Sequence, residues 1–179
     1  NGSIVRVSGT WDGERLIAER IVSRRGRIEI EGTVGAVDAE GGAIDIALAA
    51  GTIRVATDQG TRIEDDRDGI ERFTLADIVA GDFLEIEAYQ EGDRLVATLI
   101  DREDPDDEVV QAPVESFNAG SDITLLGVTF SVGDTDYEDL RDDDISAAVF
   151  FANLQIGDLV KVEDEKLADG IADEIEFED

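Results

Sequence analysis

The chain has 179 residues and a formal charge of −30 from 45 acidic and 15 basic residues, with neither cysteine nor histidine. Those absences remove disulfides, thiol and Ser-His-Asp nucleophiles and nearly every zinc site, and a field of that sign repels nucleic acid and anionic membranes while attracting cations. Apolar residues still make up 42% of the chain, enough to bury a core, and the length suits two modules of roughly 75 residues.

In chain order, residues 2–8 (GSIVRVS) and 12–21 (DGERLIAERI) read as a hairpin. Ile28, Ile30 and Val34 then fall on one face of a strand, Ile44, Ile46 and Leu48 on one face of a second, and Ile53 and Val55 on a third. Thr74 with Asp77 three residues on predicts a capped helical turn, with Leu75, Ile78 and Val79 as its apolar side and Gly81 as its stop. Two strands follow, carrying Leu84, Ile86 and Ala88, then Leu95, Ala97 and Leu99, around a turn at 91–93. Residues 104–107 (DPDD) read as a linker, since proline and clustered charge resist strand continuation. The plan repeats with Ile123 and Leu125, with Val128, Phe130 and Val132, with a helical segment at 147–155, and with Val160 and Val162.

The repeat is visible residue by residue. Gly2, Gly13, Arg15, Leu16, Ala18 and Ile21 coincide without a gap with Gly81, Gly92, Arg94, Leu95, Ala97 and Ile100. A third copy runs over 157–163 and 170–175, one residue shorter across its turn, and LADIVAGD at 75–82 returns as FANLQIGD at 151–158. Five strands with a helix between the third and fourth is the order of an OB-type barrel. The expected fold is therefore all-β, with tandem OB-like barrels of five to six strands and one short helix before each fourth strand. Residues 1–24 are read as the closing hairpin of a preceding incomplete module, 25–103 as the first complete module, 104–107 as the linker and 108–179 as the second complete module.

The strand opening Gly-x-Val, the segment LADIVAGDFLEIE and the segment DRLVATLI resemble the bacterial domain of unknown function 5666, over nearly all of 28–179. That resemblance implies OB-like barrels, often in tandem, in exported or surface proteins, and it supplies no catalytic residues. The second module departs from the pattern at Pro113 in its first strand and in the apolar run 147–152 (AAVFFA).

Glu64, Asp66 and Asp68 alternate before Gly69 as the oxygens of a calcium loop do, although an EF-hand would need an acid where Leu75 stands. A solvated acidic loop is the other reading, and the same choice holds for the acid-dense stretches 134–139 and 141–144. Strands two and three of the first module would offer Asp45 and Arg54 and no aromatic residue, so no nucleic-acid partner is expected. The expected function is that of a non-catalytic structural or interaction module of an exported bacterial protein, extracellular, cell-surface or periplasmic, with no cofactor and no membrane span. Its partners would be other copies or neighbouring modules, joined through strand edges or exchange of the hairpin 1–24. The alternative is a calcium-responsive binding or adhesion module that holds divalent cations at Glu64, Asp66 and Asp68.

Overall fold

Alternation of apolar and acidic residues gives strands whose two faces part by chemistry. In β3 (Ile28–Asp38), Ile28, Ile30 and Val34 are buried, whereas Glu29 and Glu31 between them stay half-buried on the outside. The computed structural model describes residues 4–11, 13, 15–24, 28–165 and 167–178. Before β3 come β1 (Ile4–Trp11) and β2 (Leu16–Arg24); after it come β4 (Ala43–Leu48), β5 (Gly51–Ala56), β6 (Arg62–Asp65), β7 (Phe83–Glu91) and β8 (Arg94–Glu103). The second half holds β9 (Glu108–Asn118), β10 (Asp122–Leu125), β11 (Val128–Glu138), α1 (Ala147–Asn153), β12 (Leu159–Asp164) and β13 (Ile171–Phe177).

Two closed circuits emerge from the pairing. The first runs β3-β4-β5-β8-β7 and back to β3, with β5 meeting β8 in parallel at Ala56 and Val96, and β6 prolonging that parallel edge. The second runs β9-β10-β11-β13-β12 and back to β9. There β11 does in one strand what β5 and β6 do in two. In each circuit the long first strand serves two neighbours: β3 pairs with β7 over 28–33 and with β4 over 33–38, and β9 pairs with β12 over 108–113 and with β10 over 114–118. This is the connectivity of an OB-type barrel, twice, and the all-β tandem-barrel expectation holds.

The helix before the fourth strand is regular in the second barrel alone, which corrects the expectation of one in each. Ser146 caps α1, its Oγ accepting from the Val149 N–H at 3.4 Å. In the first barrel residues 75–77 form a turn instead. The Asp77 carboxylate accepts from the N–H and the hydroxyl of Thr74 at 3.0 and 2.6 Å, as a capping residue would. A second helical turn is prevented because Asp82 Oδ2 takes the Val79 N–H at 2.9 Å, the donor that turn would need, and because β-branched Ile78 and Val79 are stiff in a helix.

The barrels join through β3 and β9, where Glu29, Ile30 and Glu31 pair antiparallel with Gln111, Val110 and Val109. Ile30 and Val110 are equivalent in the repeat, so the junction has local two-fold symmetry. Its cause is the bent first strand: the second strand covers only the C-terminal half of it, and the exposed N-terminal half-edges of the two barrels satisfy each other. One apolar cluster consequently runs from Ile28 through to Ile175. The turn after β4 rests on the second barrel, with the Ala49 N–H donating to Glu108 Oε2 at 2.7 Å. Gly51 is tight there, since a Cβ on it would lie 3.3 Å from Val128 Cγ2.

Strands β1 and β2 form a two-stranded sheet with a register shift between Ser8 and Gly9. The β7–β8 pair has its shift between Glu87 and Ala88, the positions that match Ser8 and Gly9 in the repeat. Among the described residues no helix is long and apolar enough to cross a membrane.

Candidate functional site

The three acids singled out as a cation loop part company. Glu64, on β6, pairs with Arg62 at 2.9 Å. Asp68 Oδ2 receives Arg102 at 2.8 Å and Arg67 at 3.4 Å. Asp66 alone joins an acidic group, with Asp101 and Glu103, whose oxygens lie within 4.8 Å of one another. Spacing in the sequence did suggest convergence, but arginines distant in the chain or on the same strand draw two of the three side chains elsewhere.

Arg102 and Arg67 belong to a largely buried ionic network that closes one end of the first barrel. Arg102 Nε donates to Asp65 Oδ1 at 2.7 Å, and the Asp65 side chain has no solvent exposure. Arg67 Nη1 donates to Asp82 Oδ1 at 3.1 Å, Arg102 Nη1 stands 3.7 Å from the same oxygen, and the Phe73 ring lies 4.5 Å beneath the Arg102 guanidinium. Asp65 Oδ2 also accepts from the Ile70 N–H at 2.9 Å. The Arg102 hydrogen bond holds the Asp65 carboxyl down at about 2, against the opposing effect of burial.

The second barrel closes the same end differently. Arg102 lies opposite Leu84 in the β7–β8 ladder, and Phe177 lies opposite Val160 in the β12–β13 ladder, so Phe177 stands where the arginine did. Its ring packs 4.4 Å from Phe150, which in turn lies 5.0 Å from Tyr137. Asp158 corresponds to Asp82, and its Oδ2 accepts from the Gln155 N–H at 2.8 Å just as Asp82 Oδ2 accepts from Val79. Where Asp82 Oδ1 meets two arginines, Asp158 Oδ1 has no partner among the described residues. A groove of about 550 Å³ opens there, lined among others by Leu140, Arg141, Val149, Asn153, Asp158 and Phe177.

Charge on the outer face follows from register. Reading across the ladders from β6 to β11, one row runs Glu64, Asp101, Glu85, Glu31, Val109, Glu163, Glu174, Asp136. Seven of those eight side chains are carboxylates on strands about 4.8 Å apart, an arrangement that opposes stability. The neighbouring row carries Glu87, Glu29, Gln111, Lys161, Glu176 and Glu138. Glu31, near the junction, is pushed up to about 7 by burial and by Glu85, Glu29, Glu103 and Glu163. Asp101, Glu138 and Glu174 are raised as well, each first by burial and then by neighbouring acids. Burial alone would lower Lys161, but its hydrogen bonds to Glu163 and Glu176 raise it. Two further groups bring acid oxygens within 4.8 Å, Glu138 with Asp142 and Glu176, and Glu163 with Glu174 and Glu176. The available signal was the alternation I-E-I-E at 28–31, L-E-I-E at 84–87 and E-I-E at 174–176; only the pairing of strands places these acids side by side.

No curated protein sequence matches this chain. Among solved structures, a Cu(II) form of a CusF variant from Escherichia coli is similar at 22% identity and a TM-score of 0.33, over 44% of this chain and 94% of that one. CusF-Ag(I) from the same organism is similar at 22% identity and a TM-score of 0.33, over 44% of this chain and 92% of that one. The family described as Domain of unknown function (DUF5666) matches twice, over residues 31–101 and 111–176, once on each barrel. This chain belongs to that family.

Proposed function

We propose that the chain is a non-catalytic interaction module of an exported bacterial protein, and that the acidic sheet face spanning both barrels receives basic polypeptide partners. The row from Glu64 to Asp136 carries this reading. Carboxylates set opposite carboxylates cost stability in the free protein, and departures of that kind from local consistency concentrate where a protein does its work. A basic partner relieves the repulsion, and the field draws it in from a distance. The barrel interiors are filled by Ile30, Ile44, Ile46, Leu84, Ile123, Leu125 and Phe130, which leaves recognition to the outside.

The test is binding of a short oligolysine peptide to the full chain by calorimetry at low and moderate salt. Binding that weakens steeply with salt, and that falls when Glu31, Glu163 and Glu174 are changed together to Gln, supports the reading; no binding at low salt refutes it. Calcium is a second reading, favoured by the grouping of Asp66, Asp101 and Glu103. Thermal unfolding in low salt, in molar sodium chloride and in millimolar calcium at matched ionic strength separates the two, because only selective stabilisation by calcium supports it. Self-association through the β1–β2 hairpin stands third. Its shared bulge with β7–β8 favours it, mutual repulsion of copies at −30 opposes it, and a monomer by sedimentation in molar salt would exclude it.

A further inference from the structure

We infer that the groove beside Asp158 is a receptor for one arginine side chain, presented together with an apolar neighbour by a partner polypeptide. The inference rests on the reading of the chain as an acceptor of basic partners, and it assigns that role to one discrete place. The first barrel is the internal precedent. At the equivalent position it holds a guanidinium against Asp65 and Asp82 and over the ring of Phe73, and a second arginine on Asp82. The second barrel keeps the acids, as Asp139 and Asp158, and has Val149 where the first has Phe73, while the ring on its groove is Phe177, which stands where the arginine would be.

Arg141 does not substitute in cis. It stands two residues after Asp139, as Arg67 stands two after Asp65, yet it makes no ion pair with a described residue, whereas Arg67 reaches Asp82. The open Oδ1 of Asp158 and the Phe177 ring on the groove suit a guanidinium, which is planar, donates in a fork and stacks on aromatic faces; an ammonium offers none of these geometries. Leu140 and Val149 on the groove wall are 57% and 47% exposed, and an apolar residue beside the arginine would cover them. The partner is a different, basic chain, because two copies of a chain at −30 repel each other.

The experiment titrates the capped dipeptides acetyl-Leu-Arg-amide, acetyl-Leu-Lys-amide and acetyl-Gly-Arg-amide into the isotopically labelled full chain, following backbone amide shifts. The expected result is saturable movement of the amides at 139–141, 153, 158 and 177, strongest for Leu-Arg. Asp158→Asn should weaken binding about tenfold by removing the charged acceptor. Phe177→Arg should abolish binding by supplying the guanidinium in cis; its melting curve reports whether it folds, and if it does not, Asp158→Asn decides alone. Equal binding of Leu-Arg and Leu-Lys, or an Asp158→Asn variant that binds as well as the parent, overturns the groove assignment. Shifts confined to the strands bearing Glu31, Glu163 and Glu174 overturn the groove but leave the acidic face as acceptor; no shift with any of the three, together with no oligolysine binding, overturns both. Self-association that Asp158→Asn abolishes overturns the assignment to a separate partner.

Discussion

Replacing Glu31 by Gln removes one charge from the middle of the acidic row and keeps the side chain's size. The folded protein raises this carboxyl from 4.5 to about 7, so between those values the folded state holds a proton that the unfolded state has released. Stability from this group is therefore lost as pH rises from 4.5 to 7 and stays lost above it. At about 1.4 kcal/mol per pKa unit the penalty is roughly 3 kcal/mol; because Glu31 is only half-buried, screening by solvent reduces it to about 1–2 kcal/mol. For a chain of this length that corresponds to about 3–6 °C in melting temperature. Glu31→Gln should thus melt at the parent's temperature at pH 4.5 and several degrees higher at pH 8, in low salt, with the difference shrinking in molar salt. The assay is thermal or urea unfolding of both proteins at four pH values across that range. A difference that does not vary with pH, or a variant less stable at pH 8, would refute the account of the acidic row.

Arg102→Ala leaves the unexposed Asp65 carboxylate without its cation, while Asp82 keeps Arg67, and should cost about 3–5 kcal/mol by urea unfolding, with Arg102→Lys intermediate because it cannot serve Asp65 and Asp68 in a fork. Asp65 is the opposite case to Glu31: its stabilisation is present above about pH 3.8 and lost as pH falls toward 2, so Asp65→Asn should flatten the acid limb of the stability profile. Phe150→Ala, at a fully buried ring in the second barrel, should cost about 3–5 kcal/mol, checked by the same unfolding curves. Lys161→Gln should lower stability at pH 8 in low salt and less in molar salt, checked by the same unfolding curves, since it leaves Glu163 and Glu176 facing each other without the ammonium between them.

Much of the fold was legible because it is written in short-range patterns. Period-two alternation marks Ile28, Ile30, Ile44 and Ile46 as inward, and repetition of the Gly-Asp turn at 81–82 and 157–158 marks equivalent points of two modules. The turn after Thr74 in the first barrel shows where short-range pattern stops deciding structure. Thr74 and Asp77 make the capping interactions their spacing promises, but the helix fails to extend because Asp82, beyond the segment, takes the Val79 N–H. The candidate cation loop has the same lesson: spacing aligned Glu64, Asp66 and Asp68, and Arg102, far along the chain, drew Asp68 away.

By itself the sequence determined the all-β class, the tandem plan, the acidic balance and the absence of thiol and imidazole chemistry, since composition and alternation are properties of neighbours in the chain. The tertiary structure decided which acids stand beside which, because hydrogen-bond register between strands brings Glu64, Asp101, Glu85, Glu31, Glu163 and Glu174 into one row. It also decided that one barrel end is closed by Arg102 between two aspartates and the other by Phe177, leaving Asp158 Oδ1 without a partner among the described residues. Both outcomes depend on contacts between residues far apart in sequence, which no local pattern encodes.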